Sequence, residues 1–250
     1  MRANTYRRTG LWLLIMWTVA VCLFEAFPQI DLWVTALFYT PKLGFTAGWL
    51  DPVLEYLRQR IWDLSVLLAV VSLVMVGLCA VLRRPLLRLT LRDWAWIMLS
   101  YLIGPVILVN GLFKAYSGRA RPAEILPFGG EHLFTRAWQF ADQCTSNCSF
   151  VSGEGAAVVI LSLGLWLVGR RWCGARGQAR ATGWAWGLSV FVLLQRLVTG
   201  RHFLSDLTFA ALISLTIAWA LWGLLQNGGQ RRAELTKAGQ EPIRRPSPRA

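Results

Sequence analysis

The sequence predicts an all-α protein, a polytopic membrane bundle of six transmembrane helices with its reactive groups gathered at the outer face. Three observations carry that expectation. The 250 residues are 55% hydrophobic and 16% charged and include 14 Trp, a balance foreign to an ordinary soluble domain. Six mostly apolar runs approach the length of about 20 residues that a bilayer core demands. The polar clusters that interrupt the apolar pattern fall where alternating spans would bring them to one side.

The first span is placed at 11–27, behind Arg2, Arg7 and Arg8. A basic start and an apolar centre also describe a signal peptide, but no small-x-small cleavage site closes the run, and Val21 before Cys22 fits a lipoprotein processing site poorly. An uncleaved helix is the expectation. The segment 28–60 is too polar and turn-rich to span. It reads as an outer-surface connection with a short interfacial helix, Leu32, Trp33, Leu37, Phe38 and Tyr39 dipping into the interface. Further spans are expected at 61–82, 93–113, 151–169, 183–199 and 206–225, so that 1–225 forms one membrane domain. The remainder, 226–250, is polar, basic and Pro-containing, and reads as a disordered cytoplasmic tail.

The formal charge of +13 raises the question of nucleic acid, but its distribution answers against it. With the N-terminus inside, the segments on that side and the tail hold 17 of the 26 basic residues. This is the positive-inside pattern, and it puts both termini in the cytoplasm. No Gly-rich nucleotide loop and no internal repeat are present.

Charge at the ends of apolar helices is costly unless it is paired, hydrated or used, so three polar groups stand out. The first, KAYSGRARP from Lys114 to Pro122, offers Lys114, Arg119 and Arg121 around a Ser-Gly turn. Such cations suit a phosphate dianion, or plain headgroup anchoring. The second, FVSGEG from Phe150 to Gly155, has Ser152 as an N-cap and Gly153 where backbone amides can approach an anion, with Glu154 entering the apolar span. The third, QRLVTGRHFLSD from Gln195 to Asp206, sets His202 and Asp206 four residues apart. On a helix they share a face, and a carboxylate bonded to one ring nitrogen leaves the other free to attack phosphorus. Span alternation delivers all three groups to the outer side. Cys144 and Cys148 lie in the long outer loop, where a disulfide is permitted; a zinc pair lacks partners, His132 being the only nearby imidazole in sequence.

With these residues the sequence resembles the phosphatidic acid phosphatase type 2 superfamily, which includes the vanadium haloperoxidases. Its first motif, Lys, six residues, Arg-Pro, is matched by Lys114, Arg121 and Pro122. Its third, Arg, five residues, His, three residues, Asp, is matched by Arg196, His202 and Asp206. The second, Pro-Ser-Gly-His, is reduced to Ser152 and Gly153, with Val151 before them and Glu154 in the histidine's place; Gln195 stands where Ser precedes the motif-three Arg. The resemblance implies that Lys114, Arg121 and Arg196 bind phosphate, with Ser152 and the Gly153 amide completing the cradle. His202 would form a phosphohistidine, with Asp206 holding it, and water would release phosphate. No metal or cofactor is implied. Glu154 would replace the missing acid if the phosphate and a partly apolar site favour its protonated form.

The expected protein is therefore a membrane lipid phosphate phosphatase of a bacterial inner membrane, facing the periplasm. Its partner is a lipid phosphate, leaning to lipid A or another envelope glycolipid. Undecaprenyl diphosphate, phosphatidylglycerol phosphate and phosphatidic acid are the alternative substrates. A degenerate lipid-phosphate binder is the non-enzyme alternative. A transporter is disfavoured because the charges cluster at one face rather than at the bilayer midplane.

Overall fold

The computed structural model describes residues 3–227. Residues 228–250, which make up nearly all of the tail read as disordered, lie outside the described chain. Among the described residues, six helices are long and apolar enough to cross a membrane. They are α1 (Ala3–Ala26), α3 (Asp51–Leu82), α4 (Leu91–Tyr101) with its continuation, α6 (Gly153–Trp172), α7 (Ala175–Val198) and α8 (Leu204–Trp222). A short α2 (Gln29–Ala36) and a two-stranded hairpin, β1 (Tyr39–Thr40) with β2 (Gly44–Phe45), connect α1 to α3. The bundle agrees with the expected fold class.

Each long helix starts or bends for a local reason. The Thr90 hydroxyl accepts from the Asp93 amide while the Asp93 carboxylate accepts from Thr90, a reciprocal cap that opens α4. Arg171, from the last turn of α6, reaches the same carboxylate at 2.9 Å. Beyond Tyr101 the helix widens into π turns over Leu102–Phe113, around Pro105, which lacks a backbone N–H and crowds the preceding turn. The Asn110 side chain donates to the Pro105 carbonyl at 2.7 Å, so the widened segment presents Asn110 toward the site. A last turn, α5 (Lys114–Tyr116), ends the span.

At the centre is α6, the most enclosed of the six. Lipid supplies no hydrophobic drive between helices, so close approach through small residues and polar contacts must hold the bundle. A side chain at Gly164 would collide with Leu68 of α3, and one at Gly155 with Leu193 of α7. Ser162 bonds Ser189 of α7 at 2.7 Å, and Ser214 of α8 donates to the Ala156 carbonyl at 3.1 Å.

Three boundaries differ by eight residues or more from the sequence reading, the first being the start of α1, at Ala3 rather than at 11. The surface connection ends at 50, not 60, because α3 begins at Asp51 with Pro52 in its first turn, where a missing N–H costs nothing. In its polar opening stripe, Arg58 has a partner on α6 and Glu55 has partners on α7, while Gln59 bonds Arg58 and Asp63 of its own helix. α7 begins at Ala175, eight residues before the expected 183, so that Arg176 and Arg180 ride on a helix. In the connection, Trp33 and Leu37 are exposed as expected of an interfacial helix. Leu32 and Tyr39 instead pack inward, beside Phe45 and Phe128.

Candidate active site

The end of α5, the start of α6 and the α7–α8 turn meet at one end of the bundle, joined by the head of α3. Between Lys114 and Arg121 the chain turns at Gly118, whose φ is +62°. A Cβ there would lie 1.6 Å from the Ala141 carbonyl oxygen, so the turn admits only glycine. The turn separates the fates of the two arginines after it. Arg121 lines the cavity, and its burial pushes its pKa down from the ordinary value.

Arg119 does not line the cavity, which corrects its reading as a phosphate cation. It is fully buried behind the site, with Nε donating to the Thr135 carbonyl at 3.0 Å. Nη1 donates to Asp206 at 2.6 Å and to Ser205 at 2.8 Å, and Nη2 donates to Asp31 at 2.8 Å. Its guanidinium lies 4.3 Å from the Phe203 ring centre.

Ser152 caps α6, its hydroxyl accepting from the Gly155 amide at 3.1 Å. It is buried and lies off the cavity wall, whereas Gly153 and Glu154 are on it. Glu154 is not in the partly apolar setting expected of it. One oxygen accepts from Arg58 at 2.9 Å and the other faces Arg196 at 3.5 Å.

Arg196 is in the last turn of α7. Its carbonyl accepts from the amides of Arg201 and His202 at 3.0 and 3.3 Å, which folds the turn back and ties His202 to Arg196. The Gln195 amide, standing in the place of serine, accepts from Arg196 Nε at 2.8 Å and donates to Glu55 at 3.2 Å, steadying the guanidinium.

His202 and Asp206 do not share a helix face, because His202 precedes α8 and Asp206 is in its first turn, accepting from the Phe203 amide at 2.9 Å. His202 Nδ1 lies 2.9 Å from the Ser149 carbonyl and 3.7 Å from Asp206 Oδ2, so the carbonyl takes the hydrogen bond. A carbonyl only accepts, which places the proton on Nδ1 and leaves Nε2 with a lone pair. Asp206 acts one step back, bonding the Ser149 hydroxyl at 2.5 Å. Burial, first, and the nearby Lys114 and Arg121 lower the His202 pKa, against the pull of Asp206.

These elements enclose a cavity of about 390 Å³. Of the residues expected from sequence, Lys114, Arg121, Gly153, Glu154, Arg196 and His202 line it, while Asp206 and Ser152 support it from behind. The sequence reading missed Glu55, Arg58, Trp62, Asn110, Asn147 and Arg201. Cations outnumber acids on the wall, so an anion is the ligand it suits.

Cys144 and Cys148 are joined by a disulfide. The small ring holds Asn147, whose side-chain oxygen accepts from Lys114 at 2.8 Å and whose carbonyl accepts from Arg121 at 2.8 Å. Opening the ring frees two long cationic side chains that binding must then order again, at about 0.5–1.5 kcal/mol each. Cys148→Ser is expected to raise KM about five- to 150-fold with kcat nearly intact; a fall in kcat at unchanged KM contradicts this role for the ring.

Residues 94–230 match the PAP2 superfamily. A lipid A 4'-phosphatase of Rhizobium leguminosarum is 31% identical over 224 residues, covering 85% of this chain and 94% of that protein. Another lipid A 4'-phosphatase, from Rhizobium etli, is 32% identical over 232 residues, covering 87% of this chain and 88% of that protein. A PAP2-type phosphatidylglycerolphosphate phosphatase from Bacillus subtilis, known from its crystal structure, has the same fold. Its TM-score is 0.57 at 16% identity, over 88% of this chain and 94% of that one.

Proposed function

The chain belongs to the PAP2 superfamily, and from that membership we propose that it is a lipid phosphate phosphatase acting through a phosphohistidine on the phosphomonoester of a lipid A-type glycolipid. The observation that carries the reading is His202, with Nδ1 bound to a carbonyl and Nε2 free, in a cavity walled by Lys114, Arg121 and Arg196. The two rhizobial relatives, similar over most of their length, support lipid A over the other headgroups.

In the proposed reaction the three cations grip the phosphate oxygens and offset the charge that builds on them, aided by the Gly153 amide at the start of α6, which Ser152 caps. His202 Nε2 attacks phosphorus as the bond to the sugar oxygen breaks, and Glu154, a carboxylate between Arg58 and Arg196, passes to that oxygen the proton carried by the monoanionic phosphate. Water then cleaves the P–N bond, releasing inorganic phosphate and restoring His202. Asp206 holds the Ser149 and Phe203 segment on which His202 rests.

We place the site on the periplasmic side of a bacterial inner membrane, with both termini in the cytoplasm. The support is the gathering of basic residues at the opposite end and in the tail, and a disulfide beside the cavity, which an oxidising compartment permits. Phosphate release in detergent from lipid A, undecaprenyl diphosphate, phosphatidylglycerol phosphate and phosphatidic acid tests the assignment. Lipid A is expected to be hydrolysed fastest. Faster release from another of the four moves the substrate, and release from none removes the enzyme reading in favour of a lipid-phosphate binder.

A further inference from the structure

α3 brings to the cavity two charged side chains, Glu55 and Arg58, that lie outside all three sequence motifs. Every donor nitrogen of Arg58 has an acceptor, though the residue is only 9% exposed. Nε and Nη2 fork onto Glu55 at 3.0 and 2.5 Å, and Nη2 also reaches Gln59 at 2.8 Å. Nη1 donates to Glu154 Oε2 at 2.9 Å. Glu55 extends the chain of contacts by accepting from Arg196 Nη2 at 3.2 Å. Glu154 is thus gripped from one side by Arg58 and faced from the other by Arg196.

We propose that Arg58 is a positioning residue of the reaction, holding the Glu154 carboxylate at the cavity wall so that the pair does the work of the single histidine absent from the second motif. The proposal rests on the phosphatase reading. Its physical basis is rotamer freedom. An imidazole is a rigid ring on two torsions, whereas a glutamate has three and drifts unless a partner fixes it, and about 1 Å of drift in a reacting group costs on the order of 10²-fold in rate. An arginine suits the task better than a lysine, because its planar fork serves Glu55 and Glu154 at once.

The test is a double-mutant cycle on the full chain in detergent, comparing Arg58→Met, Glu154→Gln and the double variant by lipid phosphate release, with thermal melting as a check of folding. Arg58→Met is expected to lower kcat about 10²-fold. KM, and the inhibition constant of inorganic phosphate, should change little. The double variant is expected to be no slower than Glu154→Gln alone, because Arg58 acts through Glu154. Arg58→Lys should recover part of kcat, and it takes the place of Arg58→Met in the cycle if that variant does not fold. Multiplied losses in the double variant overturn the proposal. So does a weaker grip on inorganic phosphate with kcat intact, which makes Arg58 a direct phosphate ligand. A wild-type protein silent on every lipid overturns the phosphatase reading and the proposal together, whereas multiplied losses in an active protein overturn the proposal alone.

Discussion

His202→Ala is expected to abolish phosphate release, by a factor on the order of 10⁴–10⁶, while leaving inorganic phosphate bound with nearly the wild-type affinity. The two halves follow from different residues. The covalent route needs the Nε2 lone pair, and no other group on the cavity wall replaces it: the amine of Lys114 and the guanidinium groups of Arg121 and Arg196 are cationic, the Glu55 and Glu154 carboxylates are engaged by Arg58 and Arg196, and the Ser152 hydroxyl lies off the wall as a helix cap. The anion grip needs only Lys114, Arg121 and Arg196, which the substitution leaves in place. Quenching a single turnover of labelled lipid in base should trap label on the wild-type protein and none on the variant. Residual release near the wild-type rate would show that the lipid is attacked by water directly.

The pH profile gives the same residue a second, signed test. His202 is useful only with Nε2 unprotonated, and burial lowers its pKa below the ordinary value of about 6.5. Protonation therefore removes the nucleophile only as pH falls below that ordinary value. The rate at limiting lipid, which reports the free enzyme, should hold through neutrality and decline on the acid side. An acid limb above about 6.5 would mean that the imidazole is held charged and that its surroundings stabilise the cation.

How much of this was legible in the sequence depends on how far each side chain's partner lies along the chain. Lys114, Arg121, Arg196 and His202 stand at spacings that a family shares, and all four reach one cavity. The head of α3 was read as surface because Glu55, Arg58 and Gln59 make 51–60 as polar as a loop. The partners of Arg58 and Glu55 at the bundle end are Glu154 and Arg196, 96 and 141 residues away, which no local pattern reveals. A local signal did exist: Asp51-Pro52 is a helix start, and Glu55 and Arg58 at i, i+3 pair on one face. Arg119 and Arg121 are indistinguishable by composition. The left-handed turn at Gly118 sends one behind the site and the other into it, and that choice is made by the Ala141 carbonyl, which packs against the glycine.

Arg119 carries the largest expected effect on stability. Arg119→Met leaves the carboxylates of Asp31 and Asp206 buried without their cation, and breaking a buried pair in this way costs about 3–5 kcal/mol. The hydrophobic replacement fills much of the same volume, so the loss reports charge and hydrogen bonding rather than a cavity. Asp31 also accepts from the Ser205 amide and hydroxyl, and Asp206 from Ser149 and the Phe203 amide, so the network ties α2 to the turn that carries His202. Activity should therefore fall with stability, and thermal melting in detergent should show a lowered midpoint. Arg119→Lys should rescue little, since an ammonium cannot reach Asp31, Asp206 and the Thr135 carbonyl together as the planar fork does. The decisive comparison is Asp31→Asn placed on top of Arg119→Met. Removing one of two stranded charges should restore part of the lost stability, although the same change in the wild-type background should be destabilising. If instead both changes destabilise independently, the carboxylates were not held by Arg119, and the support for His202 must come from the Ser149 segment alone.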